Sequence, residues 1–434
     1  MDPKVLIVGT VPYNKATTAR AFEAYFHGWD RNCLTQIFSN SKKPIKGHSG
    51  RLFQITDKRM LQRVFDKTIQ TGKEFVYEEL ADAWENNTQE ESGIYSKLYQ
   101  WGSRKTPFIY LARGLLWQKK HWCTKEFKVW LDEFQPECVF LAFSDDYFIP
   151  QIALYAARRY HIPIVSCIGD DYYFNGKFSL NPLYHLYKYT YRRLIRQVFA
   201  HGGSSIYISD KIRDKYNGEF SLNGETVYLV SEMDRRPFRP IDREKPVISY
   251  FGNIGLGRNE SLNEIGRALG EIAPDYRLQI FSGESDPRLT RMFKGNPNVE
   301  FCGSVSYAEV AEKTRESDIL VIVEGFRREN VSATRYSLST KVADSLASGA
   351  QILVYGSEEC GVVEYMAGTN SAAVCTDKAQ LVRCIRRLLE DMEQQKRYYE
   401  NAVKISEKNH TLESSTSVFR GVVEKAIAQY GNRV

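Results

Sequence analysis

Short, uninterrupted apolar runs recur along this chain: KVLIVG (4–9), CVFLAF (138–143), IPIVSCIG (162–169), VISYFG (247–252), DILVIVEGF (318–326) and QILVY (351–355). A run without polar alternation is a strand buried on both faces, as strands of a parallel sheet are. Helical patterns lie between several of these runs, so that 138–143, 150–160 and 162–169 form a βαβ unit with short connections. The repeat predicts α/β domains of the Rossmann-like kind. A chain of 434 residues exceeds what one core supports. The segment RRPFRPIDREKP (235–246), rich in proline and charge, is the best linker in it. The expected division is an N-terminal domain over 1–236 and a second over 237–414. The closing amphipathic helix, 415–434, is expected to pack back on the first.

Composition narrows the class. Hydrophobic residues at 43% and charged residues at 26% are those of an ordinary globular protein. No apolar run is long enough to span a bilayer, and the N-terminus does not read as a signal peptide. The eight cysteines are scattered, without a CxxC or a Cys/His cluster, so no metal site is expected and a reducing, cytoplasmic setting is. A net charge of +6 is too small to imply nucleic acid.

The stretch from Ser332 to Gly361 carries most of the chemistry. A short helix pattern starts near Ser339 and Thr340 and ends at Gly349, and a strand follows. Hydroxyl residues before a helix cap its free N–H groups, and those groups with the helix dipole also seat phosphate. Lys341 adds a cation on the first turn. Asp344, three residues on, is a carboxylate suited to a diol. A capped surface helix with a Lys–Asp pair would show the same pattern. A second phosphate element is the loop after 247–252, where Gly252, Gly255 and Gly257 allow close backbone approach and Arg258 supplies charge.

The first half offers acceptor-side candidates. Thr10 and Tyr13 follow the first strand, and Asp170 and Asp171 stand at the tip of 162–169, where open α/β sheets bind ligands. A plain connection and capping acids are the other readings of these residues. Residues 58–135 read as mostly helical, with tryptophans expected in the core. The helix around 185–196 interleaves Tyr and Leu with Lys188, Arg192, Arg193 and Arg196, and no acid occurs from 172 to 209. It reads either as a surface for anionic membrane or as a solvated helix whose aromatics face the core.

YFGNIGLGRNESL and STKVADSLASGAQILVYG together resemble the donor domain of retaining GT-B glycosyltransferases of the large family-four type (glycosyl transferases group 1). The resemblance covers roughly 200–430. It implies two Rossmann-like domains with parallel sheets facing a central cleft. It also implies metal-independent, retaining transfer from a nucleotide-diphosphate sugar, UDP or GDP favoured, to a glycan or lipid-linked acceptor in cell-surface polysaccharide or glycolipid synthesis. Arg258 falls on the family's basic diphosphate-binding position, Asn253 stands where many members have Arg, and Asp344 occupies the ribose-binding place. The usual paired Glu motif is broken, since Tyr336 stands eight residues before Asp344. Glu324 is the nearest upstream acid and the candidate for the sugar-binding role. Arg258, Lys341 and Glu324 are thus the catalytic candidates, with Gly252, Asn253, Gly255, Ser339, Thr340 and Asp344 binding the donor. No cofactor is expected. The alternatives are a non-catalytic GT-B-like partner subunit and a nucleotide-sugar epimerase.

Overall fold

The computed structural model describes residues 2–9, 11–12, 20–82, 106–146, 148–176 and 178–432. The chain forms two compact units, one of Met1–Val227 with Thr416–Val434 and the other of Tyr228–Ser415.

The first unit is built on an eight-stranded sheet. Its strands are β1 (Val5–Val8), β2 (Leu34–Phe38), β3 (Arg51–Ile55), β4 (Gly72–Val76), β5 (Cys138–Ala142), β6 (Ile164–Ile168), β7 (Gly203–Tyr207) and β8 (Glu225–Thr226). The spatial order is β4-β3-β2-β1-β5-β6-β7-β8. All neighbours are parallel except β3 and β4. β1 is central and fully buried, which its apolar sequence requires. β4 is a strand within the stretch 58–135, which reads as mostly helical. Its sequence GKEFV carries Lys73 and Glu74 exposed on an antiparallel edge, a pattern with no buried-strand signature. Among the described residues, the α-helices of that region are Asp57–Phe65, Pro107–Leu116, Lys119–Trp122 and Lys125–Phe134. Trp117, Trp122 and Trp130 are buried, as core tryptophans should be. Trp84 and Trp101 lie outside the described residues.

The second unit holds a six-stranded, all-parallel sheet. It comprises β9 (Ile248–Phe251), β10 (Leu278–Phe281), β11 (Val299–Gly303), β12 (Ile319–Val323), β13 (Gln351–Tyr355) and β14 (Ala373–Cys375). The order β11-β10-β9-β12-β13-β14 makes β9/β12 the point where the winding reverses. In such sheets the crevice beyond the carboxyl ends of the strands at that point is where ligands bind.

The first crossing between the units falls at Val227 rather than at 236. Residues 231–236, which the sequence assigns to the first domain, are tied to the second unit. Ser231 N–H donates to the His410 carbonyl (3.0 Å), Arg236 N–H to the Ser348 carbonyl (3.0 Å), and Arg235 pairs with Glu407 (2.7 Å). The final helix, Leu412–Gly431, leaves the second unit at Ser415. Within the first unit its Thr416 hydroxyl donates to the Ala24 carbonyl (2.7 Å), and Phe419 stacks on Tyr25. No helix among the described residues is long and apolar enough to cross a membrane.

Candidate active site

β9 ends beside Gly252, whose φ of +124° is a conformation that L side chains avoid. The reason for glycine is next to it: a Cβ here would lie 2.4 Å from Cε of Lys341. The loop then folds on itself. Asn253 Oδ1 accepts from Gly255 N–H (2.6 Å), and the Asn253 carbonyl accepts from the Tyr250 hydroxyl (2.5 Å). Gly257, at φ +77°, opens the helix Arg258–Ile272. A Cβ on Gly257 would meet the Asn330 amide at 2.3 Å, so the loop runs hard against the segment following β12.

Arg258 and Glu324, 66 residues apart, meet here. Nε and Nη2 of Arg258 donate to the two carboxylate oxygens of Glu324 at 3.1 and 3.0 Å, a two-pronged pair. Both side chains are largely withdrawn from solvent, at 16% and 4% exposure. Burial acts to lower the Arg258 pKa, but pairing with Glu324 outweighs it and leaves the guanidinium more firmly protonated. Ser261 fixes the strand end by donating its hydroxyl to the Glu324 carbonyl (2.8 Å).

Lys341 reaches the same place from the helix Lys341–Ser348. Helical side chains lean toward the N-terminus of their helix, and this one leans over Gly252. Its Nζ donates to the Tyr250 hydroxyl (2.9 Å) and lies 4.4 Å from the centre of the Tyr250 ring. Burial and the neighbouring Arg258 push its pKa down to about 7, with Glu324 opposing. Near neutrality the lysine is therefore poised between charged and neutral forms. Tyr250, fully buried, joins the lysine to the loop carbonyl and was not legible as a site residue; in sequence it is one more apolar position of a strand.

The other expected residues divide. Thr340 precedes the helix but makes no side-chain cap, since its own backbone is already helical. Ser339 instead accepts from Lys341 N–H (3.4 Å). Asp344 diverges from Lys341: its Oδ1 accepts from the Ser231 hydroxyl (2.7 Å). Nearby, His410 holds the Leu229 carbonyl with Nδ1 (2.7 Å) and meets the Tyr365 hydroxyl with Nε2 (2.9 Å). Burial lowers the His410 pKa to about 4, so the ring is neutral.

In the first unit Asp171 is a turn carboxylate. Its Oδ1 accepts from the Tyr173 and Phe174 N–H groups (3.2 and 2.8 Å) and from the Tyr216 hydroxyl (2.8 Å). This supports the capping reading over the acceptor one. Asp170 is exposed at the same tip. Thr10 and Tyr13 lie outside the described residues. On the helix Pro182–His201, Tyr187 and Tyr191 are buried. Lys188, Arg192 and Arg196 are bound to the carbonyl of Tyr172 (3.0 Å), the carbonyl of Tyr173 (2.9 Å) and the hydroxyl of Tyr173 (2.7 Å). Three of the four cations named on this helix therefore brace the 172–173 turn, and its buried tyrosines face the core.

Two units of this topology match solved structures along nearly their whole length. Anabaena HepE in complex with UDP superposes with a TM-score of 0.57 at 10% identity, covering 97% of this chain and 100% of that one. Sucrose-phosphate synthase from Thermosynechococcus elongatus gives 0.57 at 11%, covering 99% and 100%. WaaG, a glycosyltransferase involved in lipopolysaccharide biosynthesis, gives 0.51 at 11%, covering 96% and 99%. The fold is that of the GT-B glycosyltransferases. Residues 258–417 match the family model described as glycosyl transferase-like, a segment that begins at Arg258 and contains Glu324, Lys341 and Asp344. No curated protein matches the chain by sequence.

Proposed function

We propose that this protein is a glycosyltransferase that moves a sugar from a nucleotide-diphosphate donor to an acceptor hydroxyl. The observation that carries the reading is the meeting of Arg258, Lys341 and Glu324 beside a glycine loop at the winding reversal of the second sheet. Two cations converge there where the backbone is stripped of side chains, which is what a diphosphate needs. A leaving nucleoside diphosphate gains negative charge as the sugar–oxygen bond breaks. Arg258 and Lys341 stabilise that charge in a site already withdrawn from water. In the resting state Glu324 occupies Arg258. Donor phosphate competes for the guanidinium, and the carboxylate turned loose is then available to the sugar. Asp344 takes the ribose diol in exchange for Ser231.

The family segment and the fold support this reading, as does a fold neighbour that holds UDP. We further propose that the two cations do the work a divalent ion does elsewhere, that the anomeric configuration is retained, and that the acceptor is a glycan or lipid-linked glycan of the cell surface. Eight free thiols suit a reducing, cytoplasmic setting.

The test is slow donor hydrolysis by the pure protein across UDP- and GDP-sugars, with and without EDTA. One donor should release its nucleoside diphosphate regardless of EDTA, with the configuration of the freed sugar read by NMR. Arg258→Ala should abolish release. Absence of release and of transfer from every donor, by a protein that still binds the nucleotide, would point to a non-catalytic partner subunit instead.

A further inference from the structure

The first unit carries a groove that the proposed chemistry does not use. It has a volume of about 570 Å³ and is lined by Lys119, Trp122, Tyr155, Arg158, Leu194 and Gln197, among others. Three helices form it: Lys119–Trp122, Phe148–Tyr160 and Pro182–His201. None of the three contains an acidic residue. Arg159 at its edge is already neutralised by a two-pronged pair with Asp132 (2.9 and 2.6 Å). Lys119 lies 4.5 Å from the centre of the Tyr155 ring. Arg158 makes no hydrogen bond or ion pair among the described residues.

Beside the groove the surface turns apolar. On the helix Pro182–His201, Leu183, Leu186, Arg193 and Gln197 fall along one side at helical spacing, and Gln197 belongs to the groove. Leu186 is 52% exposed and Tyr189 64%. The segment before the helix adds Phe178 and Leu180, at 92% and 88%. That segment is held in place: Asn181 caps the helix through Leu183 N–H (2.9 Å), and His185 Nε2 binds the Ser179 carbonyl (2.7 Å). Arg193, alone of the helix's four cations named above, has no partner among the described residues. Among the described residues, the acids that act on this region are Asp132, taken by Arg159, Asp146, taken by Arg113, Asp145 and Asp171, which act on the inward-facing Lys188, and Asp170 beside Tyr172.

We infer that this face docks on an anionic bilayer, with Phe178, Leu180 and Leu186 entering the interfacial layer and Lys119, Arg158 and Arg193 meeting lipid phosphates. Unpaired cations on helices that carry no acid, with large apolar side chains held outward beside them, are the combination that binds a membrane surface without spanning it. The docking surface is therefore the 178–186 edge, the groove and Arg193, not Lys188, Arg192 and Arg196, which brace the turn. The inference does not rest on the glycosyl-transfer reading, since every residue in it lies in the first unit.

The experiment is sedimentation of the full chain with vesicles of phosphatidylcholine, pure or with part replaced by phosphatidylglycerol. Binding is expected to the anionic vesicles only, weakening with salt. Each surface cation is worth roughly fivefold in affinity, so Lys119→Glu/Arg158→Glu/Arg193→Glu should lose at least about 100-fold. Phe178→Ser/Leu180→Ser/Leu186→Ser should weaken binding while keeping its salt dependence. Lys188→Gln is the contrast and should leave binding unchanged. Thermal melting and nucleotide binding of each variant report folding and the second unit separately. No binding by the wild type, or equal binding by the triple Glu variant, overturns the inference. A self-associated species that the triple Glu variant loses, with no vesicle binding by the wild type, assigns the face to a second copy and also overturns it.

Discussion

Lys341 should make nucleotide binding pH-dependent in a defined window. Its ammonium, ordinarily half-titrated at 10.5, is brought to about 7 by burial and by Arg258. A bound diphosphate places opposite charge beside it, and such a neighbour raises a pKa by about 1–3 units. The bound-state value is then about 8–10. Below pH 7 both states hold the proton and affinity is level. Between about 7 and the bound value, binding must take up a proton, so affinity falls about tenfold per pH unit, or about 1.4 kcal/mol. The expected loss from pH 7 to pH 9 is about 5–50-fold. The terminal phosphate of the nucleotide titrates near pH 6, below this window. Titration calorimetry in two buffers of different ionisation enthalpy reads the effect directly, as uptake of about 0.4–0.9 proton near pH 8. Lys341→Met should bind more weakly, with a flat profile and no uptake. A flat wild-type profile, or uptake that survives in Lys341→Met, would refute the reasoning.

Three further outcomes follow from the same geometry. Gly252→Ala, whose new methyl would sit 2.4 Å from Lys341 Cε at a φ of +124°, should displace the lysine and weaken diphosphate binding about as much as Lys341→Ala does, while binding of the bare nucleoside holds. Glu324→Gln should release Arg258 and tighten diphosphate binding several-fold, yet lower the transfer rate; a gain in both would remove Glu324 from the chemistry. His410 binds a proton at 6.5 when unfolded but only at about 4 when folded. The unfolded state thus gains protons first as pH falls, and stability should drop by about 3 kcal/mol at most between pH 6.5 and 4. Chemical denaturation of the wild type against His410→Gln, whose own dependence should be shallower, measures the difference.

Strands were the legible part of this chain because a parallel sheet demands unbroken apolar runs, and β1, β5, β6, β9, β12 and β13 are all such runs. β4 was not, because an antiparallel edge strand tolerates Lys73 and Glu74 and leaves no run to find. Candidate residues were legible singly, Arg258 beside its glycine loop and Lys341 at a helix start. Their partners were not. Glu324 carried a signal only as the nearest acid, and its pairing with Arg258 spans 66 residues that must fold before the two meet. Tyr250 carried none, since a tyrosine in a buried strand is ordinarily packing. Lys341 and Asp344 share a helical face by spacing, yet side-chain length separates them. The long lysine reaches back over Gly252, and the short aspartate stops at Ser231. The basic helix shows the same limit. Spacing put four cations on it, but the Tyr172–Tyr173 turn that engages three of them is brought there only by the fold.

The central claim is that Arg258 and Lys341 form the donor's diphosphate seat. Calorimetric titration of UDP, GDP, ADP, CMP and dTDP into the wild type and into Arg258→Ala tests it most directly. One diphosphate should bind the wild type tightly, with and without EDTA, and lose at least about 30-fold, or about 2 kcal/mol, in Arg258→Ala. Failure of every diphosphate to bind, or equal binding by Arg258→Ala, would contradict it.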